Sequence, residues 1–250
     1  MHTILQPQPQ LEIVYPESDG KPMADNSIQF RWIFVLAGNL AAQFDHSPNV
    51  YVCGDMFWYP VQGHPEIVQA PNVFVVFGPG KGDRASYRQW EEGGIPLTVV
   101  FEILATKNTH AVMVDKFIFY EENGVEEYYV YDPEKNRLIA YLRSGMSLVR
   151  VRQVNTYVSP RLGIRFDLSG PEMVVYGPND KRFLTFEQLE HARKLAEQQA
   201  AQAQQQVAQA RQQLARLAEL SRKARRGQAT AEELAELESL ENQITPPGAQ

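Results

Sequence analysis

The sequence holds a single cysteine, Cys53, in 250 residues, which leaves no disulfide framework and no cysteine-rich zinc site. Its five histidines are scattered with no HxxxH pair, so a histidine-built metal centre is not expected either. No apolar stretch reaches the length that spans a bilayer, and no basic-plus-apolar leader opens the chain. An excess of basic residues is missing too. Twenty-four Lys and Arg stand against 30 Asp and Glu, a net charge of −6. A nucleic-acid binder of this balance would need a local basic patch or a bridging metal. A soluble, cytoplasmic protein is expected, with no membrane partner.

What is present suffices for a core. Hydrophobic residues make up 44% and aromatic residues 10% of a length that suits one medium domain plus an extension. The chain is organised around Leu97 to Tyr131. Its first eight residues form an apolar run, the pattern of a strand buried on both faces, broken only by Glu102. A carboxylate there must be neutralised, paired or bound to a cation. After a polar turn the period becomes helical, and Met113, Lys116, Phe117 and Tyr120 share one face. Lys116 is therefore aimed at the sheet, either as a partner of Glu102 or as a stem that snorkels to solvent. Gly124 closes the helix, and EEYYVYDP returns as a strand.

Around that unit, a proline-rich arm covers residues 1–24 and leads to Asp25 and Asn26 as candidate helix caps. Ile28, Trp32, Val35, Leu36, Leu40 and Phe44 predict an amphipathic helix over Ser27 to Phe44. Val50 to Tyr59 reads as one strand, perturbed by Gly54 and interrupted by Asp55. NVFVVFG is the next buried strand. PGKGDRASYRQWEEGGIP reads as an ordered surface loop too polar for core, with a short helix around Tyr87 to Glu92. Its Lys81, Arg84 and Arg88 form a basic patch suited either to phosphate contacts or to a solvated loop. A hairpin turns at Arg143-Ser144-Gly145, and two or three short strands follow before Phe186. The order predicts an α/β fold with mixed pairing, so residues 25–186 are read as one domain.

Residues 187–243 change character. Gln and Ala dominate from Gln198 to Gln213, which favours helix but supplies little core. A helix from Phe186 to Arg226 would run roughly 60 Å, with a weak heptad-like seam through Leu189, Val207 and Leu214. It is read as a coiled-coil or partner-contacting segment. Gly227 ends it, Thr230 and Glu233 predict a capping box for a last helix, and residues 244–250 are expected to be disordered.

Several longer segments carry a resemblance: YPESDGKPMADN, GDMFWYP, APNVFVVFG, KGDRASYRQWEEGGIP, VVFEIL, DKFIFYEENGVEEYYVYDP and YVSPRLGIRF. In this order, from about Tyr15 to Phe186, the chain resembles the Uma-two family of restriction-type endonucleases. That family belongs to the PD-(D/E)xK nuclease superfamily. The resemblance implies a restriction-endonuclease-like core, a mixed sheet flanked by helices with added edge strands. It implies a DNA endonuclease using Mg²⁺ or Mn²⁺, and a homodimer if both strands are cut. It assigns Glu102 as metal ligand and water organiser. Two residues on stands Leu104 rather than lysine, so Lys116 on the following helix is the implied charge stabiliser. The metal-binding aspartate of the family is here Asn72, after Pro71. A neutral amide there is expected to weaken metal binding and cut activity strongly, unless Asp55 supplies the missing carboxylate. Asp55 is otherwise a turn or bulge residue. FEILAT also departs from the Ser-Pro that follows this strand in the family. The rival reading is a catalytically silent nuclease fold that binds or assembles through its helical tail.

Overall fold

The computed structural model describes residues 13–20, 22–105 and 107–244; the first twelve residues of the arm lie outside them, as does the tail expected to be disordered over 244–250 except for Ile244, which ends the last helix. The chain divides into two compact units, Met1–Phe186 and Glu187–Gln250.

In the first unit, α1 (Ser27–Gln43) starts where the Asn26 side chain accepts the Gln29 amide, and it buries Trp32, Ile33, Leu36 and Leu40. A six-stranded sheet follows, in the order β1 (Val50–Cys53), β3 (Val73–Phe77), β5 (Val99–Ile103), β6 (Glu127–Asp132), β7 (Arg137–Ser144) and β8 (Ser147–Arg150). Within this sheet β5 and β6 pair in parallel, because α2 (His110–Glu122) crosses over between them; its other neighbours are antiparallel. The sheet is therefore mixed.

Each face of the sheet has its own core. Val99, Phe101 and Ile103 of β5 join Trp32, Leu36 and Leu40 of α1 on one side. The antiparallel pair β9 (Arg165–Asp167) and β10 (Val174–Tyr176) adds Phe166 and Val175 to that side. Val100 points the other way, into a cluster with Phe74, Trp58, Tyr120 and Tyr128. The strand period of two then turns Glu102, like Val100, towards α2. A second buried acid, Glu127, is fully satisfied. It accepts Tyr129 Oη at 2.8 Å, Ser159 Oγ at 2.5 Å and the Arg161 amide at 2.7 Å, tying the YVSPRLGIRF segment to the sheet.

Two sequence expectations are corrected. Val50 to Tyr59 is not one strand. β1 stops at Cys53, Asp55 adopts a left-handed backbone at φ 53°, and the chain leaves the sheet. Trp58 and Tyr59 then form β2 (Trp58–Tyr59), which pairs in parallel with β4 (Tyr87–Arg88) in a separate two-stranded piece. The break is steric: a Cβ on Gly54 would lie 2.7 Å from the Asn72 carbonyl oxygen, so the two backbones are in contact there. The loop expected to be too polar for core also contributes to it. Tyr87 is fully buried and donates to the Ile95 carbonyl, and the helical turn is a 3₁₀ segment, Gln89–Glu92.

In the second unit, α3 (Phe186–Arg225) ends before Gly227, whose φ is +66°. The Glu233 carboxylate accepts the Thr230 amide at 3.0 Å, and Thr230 Oγ1 accepts the Glu233 amide at 3.2 Å, the reciprocal box that opens α4 (Ala231–Ile244). Arg216–Glu236 and Lys223–Glu233 pairs join the two helices. Among the described residues, no helix is long and apolar enough to cross a membrane.

Candidate active site

Glu102 sits in the middle of β5 with 2% of its surface exposed. The helix opposite it, α2, starts at Thr109, whose side chain accepts the Val112 amide. That start sets the rotation of the helix, and residues four apart share a face. Lys116 and Tyr120 are such a pair, and both reach the same atom. Lys116 Nζ lies 2.7 Å from Glu102 Oε1, and Tyr120 Oη donates to that oxygen at 2.6 Å. The buried acid predicted from the strand is thus paired with the lysine predicted from the helix stripe. Tyr120 is wholly buried, and burial holds its phenol well above the ordinary tyrosine value, with the Glu102 charge adding to the effect. It remains a donor.

Asn72 stands one residue before β3. Continuing the β3–β5 register, in which Val73 faces Phe101, sets Asn72 opposite Glu102. Its Oδ1 accepts the Ile103 amide at 2.7 Å, which cross-links the start of β3 to β5. Asp55 follows the Gly54 contact and donates its amide to the Pro71 carbonyl at 3.0 Å. The left-handed turn that ended β1 therefore delivers Asp55 to the Pro71-Asn72 corner. Desolvation lifts its carboxyl above the ordinary value, the Asp19 and Glu102 charges lift it further, and Lys116 opposes them.

Asp55, Asn72 and Lys116 line one cavity of about 620 Å³. The arm lines the cavity too, through Glu17 and Asp19, and Asp25 just after it does the same. The arm is tied at both ends. Tyr15 packs on Tyr59 and Trp90 and its hydroxyl accepts the Gly63 amide, while Tyr59 Oη donates to the Pro16 carbonyl at 2.5 Å. At the far end Asp25 pairs with Lys107 at 3.0 Å. Sequence reasoning missed this lining, because turn signals say where a chain bends and not what it bends over. Tyr120 was assigned to the packing stripe. Its place four residues after Lys116, facing the same buried acid, was the available signal.

The basic loop is placed elsewhere. Lys81, Arg84 and Arg88 do not line this cavity. Lys81 donates to the Phe44 and Asp45 carbonyls, Arg84 to Glu92 and the Gly80 and Gly82 carbonyls, and Arg88 to Glu91. Cys53 also takes no part: burial raises its thiol above the ordinary value, which disfavours thiolate.

The candidate ligands are all oxygen donors: Asp55 and Asn72 on the cavity wall, and Glu102, which is buried, paired with Lys116 and does not itself line the cavity. That set suits a hard divalent cation such as Mg²⁺ rather than a softer metal. It is a lean set. Among the described residues, no group of three or more His, Cys, Asp or Glu is placed to hold a metal ion. Asn72 Oδ1 already accepts one hydrogen bond and keeps a second lone pair for a ligand. It is the donor chemistry, and not a preformed cluster, that matches such an ion.

A family model, Uma2, described as "Putative restriction endonuclease", matches residues 18–171, more than half of the chain. Among solved structures, a putative nuclease belonging to DUF820 from Anabaena variabilis ATCC 29413 is similar at a TM-score of 0.38 and 12% identity, covering 58% of this chain and 79% of that one. No curated protein matches the sequence.

Proposed function

Because the chain belongs to the Uma2 family, we propose that it is a divalent-metal-dependent endonuclease that hydrolyses DNA phosphodiesters, with activity reduced by Asn72. The observation that carries this reading is the Lys116–Glu102 pair at 2.7 Å, with Lys116 on the wall of a cavity that also holds Asp55 and Asn72. Asp55, Asn72 and Glu102 would hold the cation. Bound there, the ion would polarise a phosphoryl oxygen and acidify a water. Glu102 orients the attacking water from a fixed position on a buried strand. Lys116, 16% exposed, reaches both that carboxylate and the cavity, so its ammonium offsets charge that builds on the phosphoryl oxygens.

Plasmid nicking in Mg²⁺ and Mn²⁺ tests this, comparing the native chain with Asn72→Asp and with Glu102→Ala in each background. Cutting by Asn72→Asp that disappears with Glu102→Ala supports a nuclease site limited by one side chain. Cutting that survives Glu102→Ala sinks the assignment. A silent fold working through its helical tail is the second reading, favoured by the commitment of Asn72 Oδ1 to the Ile103 amide. On that reading neither background binds Mn²⁺ at millimolar concentration.

A further inference from the structure

One oxygen of Glu102 receives two donors, and the two differ in freedom. Lys116 belongs to the cavity wall, on a flexible stem with a partly exposed head. Tyr120 has none of that freedom. Its ring stacks parallel to Trp58 at 6.4 Å and packs against Phe119 at 5.8 Å and Tyr128 at 5.0 Å, with no exposed surface. The hydroxyl is therefore delivered to Glu102 Oε1 by packing on three sides. A phosphate in the cavity competes with Glu102 for the three N–H donors of the Lys116 ammonium. As the ammonium shifts, its bond to Glu102 Oε1 weakens while the Tyr120 bond does not.

We propose that Tyr120 is a positioning residue of this site, holding Glu102 Oε1 in place while Lys116 turns from that carboxylate to the substrate phosphate. The role rests on the nuclease reading above. It explains why both donors converge on one oxygen: one is the anchor and the other the moving part. Tyr128 provides an internal control. Its hydroxyl is buried in the same aromatic cluster but has no hydrogen-bond partner among the described residues.

The test uses the full chain, in whichever of the native and Asn72→Asp backgrounds nicks plasmid. Tyr120→Phe is expected to lower the nicking rate at saturating Mn²⁺ by roughly tenfold or more, the usual effect of losing a group that orients a ligand. One hydrogen bond to a buried carboxylate is lost while the ring is kept, so its unfolding midpoint should fall modestly and rates are compared well below it. Tyr128→Phe should nick like the parent. A packing role alone, which phenylalanine preserves, would leave both the midpoint and the nicking rate of Tyr120→Phe unchanged. Lys116→Met removes the other donor and needs no activity to read. If Tyr120 suffices to hold the carboxylate, this variant binds Mn²⁺ by electron paramagnetic resonance at least as tightly as its parent while nicking is lost. Equal nicking by Tyr120→Phe and its parent, or loss of Mn²⁺ binding in Lys116→Met, overturns the proposal and leaves the nuclease reading standing. If no background nicks, the nuclease reading falls and the role of Tyr120 with it.

Discussion

Asp55 stores the clearest conflict at the level of single residues. Its carboxyl is held above the ordinary value of 3.8 by desolvation and by the Asp19 and Glu102 charges, so its ionised form is disfavoured by folding. A raised acid stabilises the fold below its unfolded value, and that contribution is lost as pH rises through the folded value. Asp55→Asn should therefore be more stable than the native chain at pH 7 in EDTA, and Asn also tolerates the left-handed backbone at this position. The advantage should vanish below about pH 4. Denaturant melts at both pH values would show it, and equal stability at pH 7 would count against an uncompensated charge. Asn72→Asp is the mirror case. It adds a third carboxylate, so it should be destabilised in EDTA and rescued by Mn²⁺, by about 2.7 kcal/mol at a hundredfold excess over Kd. The native chain should gain less from the same Mn²⁺. Gly54 is constrained by space. A methyl group would meet the Asn72 carbonyl, which is backbone and cannot swing aside, so Gly54→Ala should cost about 1–3 kcal/mol in urea melts.

At the level of elements, β5 and α2 were legible because their patterns are local. An acid in an apolar run and a lysine on an apolar stripe each stand out within a dozen residues, and the structure brings them to 2.7 Å. The arm was not legible, since its meaning lies in contacts with Tyr59, Gly63 and Lys107, far along the chain. β1 and β2 were merged because Val50 to Tyr59 is apolar enough for one strand. What divides them is a backbone contact with Asn72, which no pattern within that stretch encodes. Gln29 shows the same limit from inside a helix: its amide crosses 74 residues to the Ile103 carbonyl at 2.8 Å. By contrast the capping box of α4 depends on residues three apart, and it formed as read. Thr230→Ala should cost about 1 kcal/mol locally. Amide hydrogen exchange in the first turn of α4 should quicken, and unchanged protection there would show the box carries no weight.

For the whole molecule, the unit Glu187–Gln250 keeps exposed apolar side chains at Leu189, Leu195, Val207 and Leu214 on a 40-residue helix. A second copy of α3 is the expected cover, with Val207 and Leu214 seven residues apart on one seam. Light scattering should then give about twice the 28.4 kDa chain mass, and Val207→Asp with Leu214→Asp should halve it. A concentration-independent monomer would remove the seam.

The tied arm has a consequence for anyone handling the protein. Because Tyr15 is seated beside Trp90 and Glu17 and Asp19 line the cavity, a chain shortened to begin at Pro22 would lose both the tether and two of the cavity's acids. Metal affinity measured on such a shortened chain would not be that of the intact site.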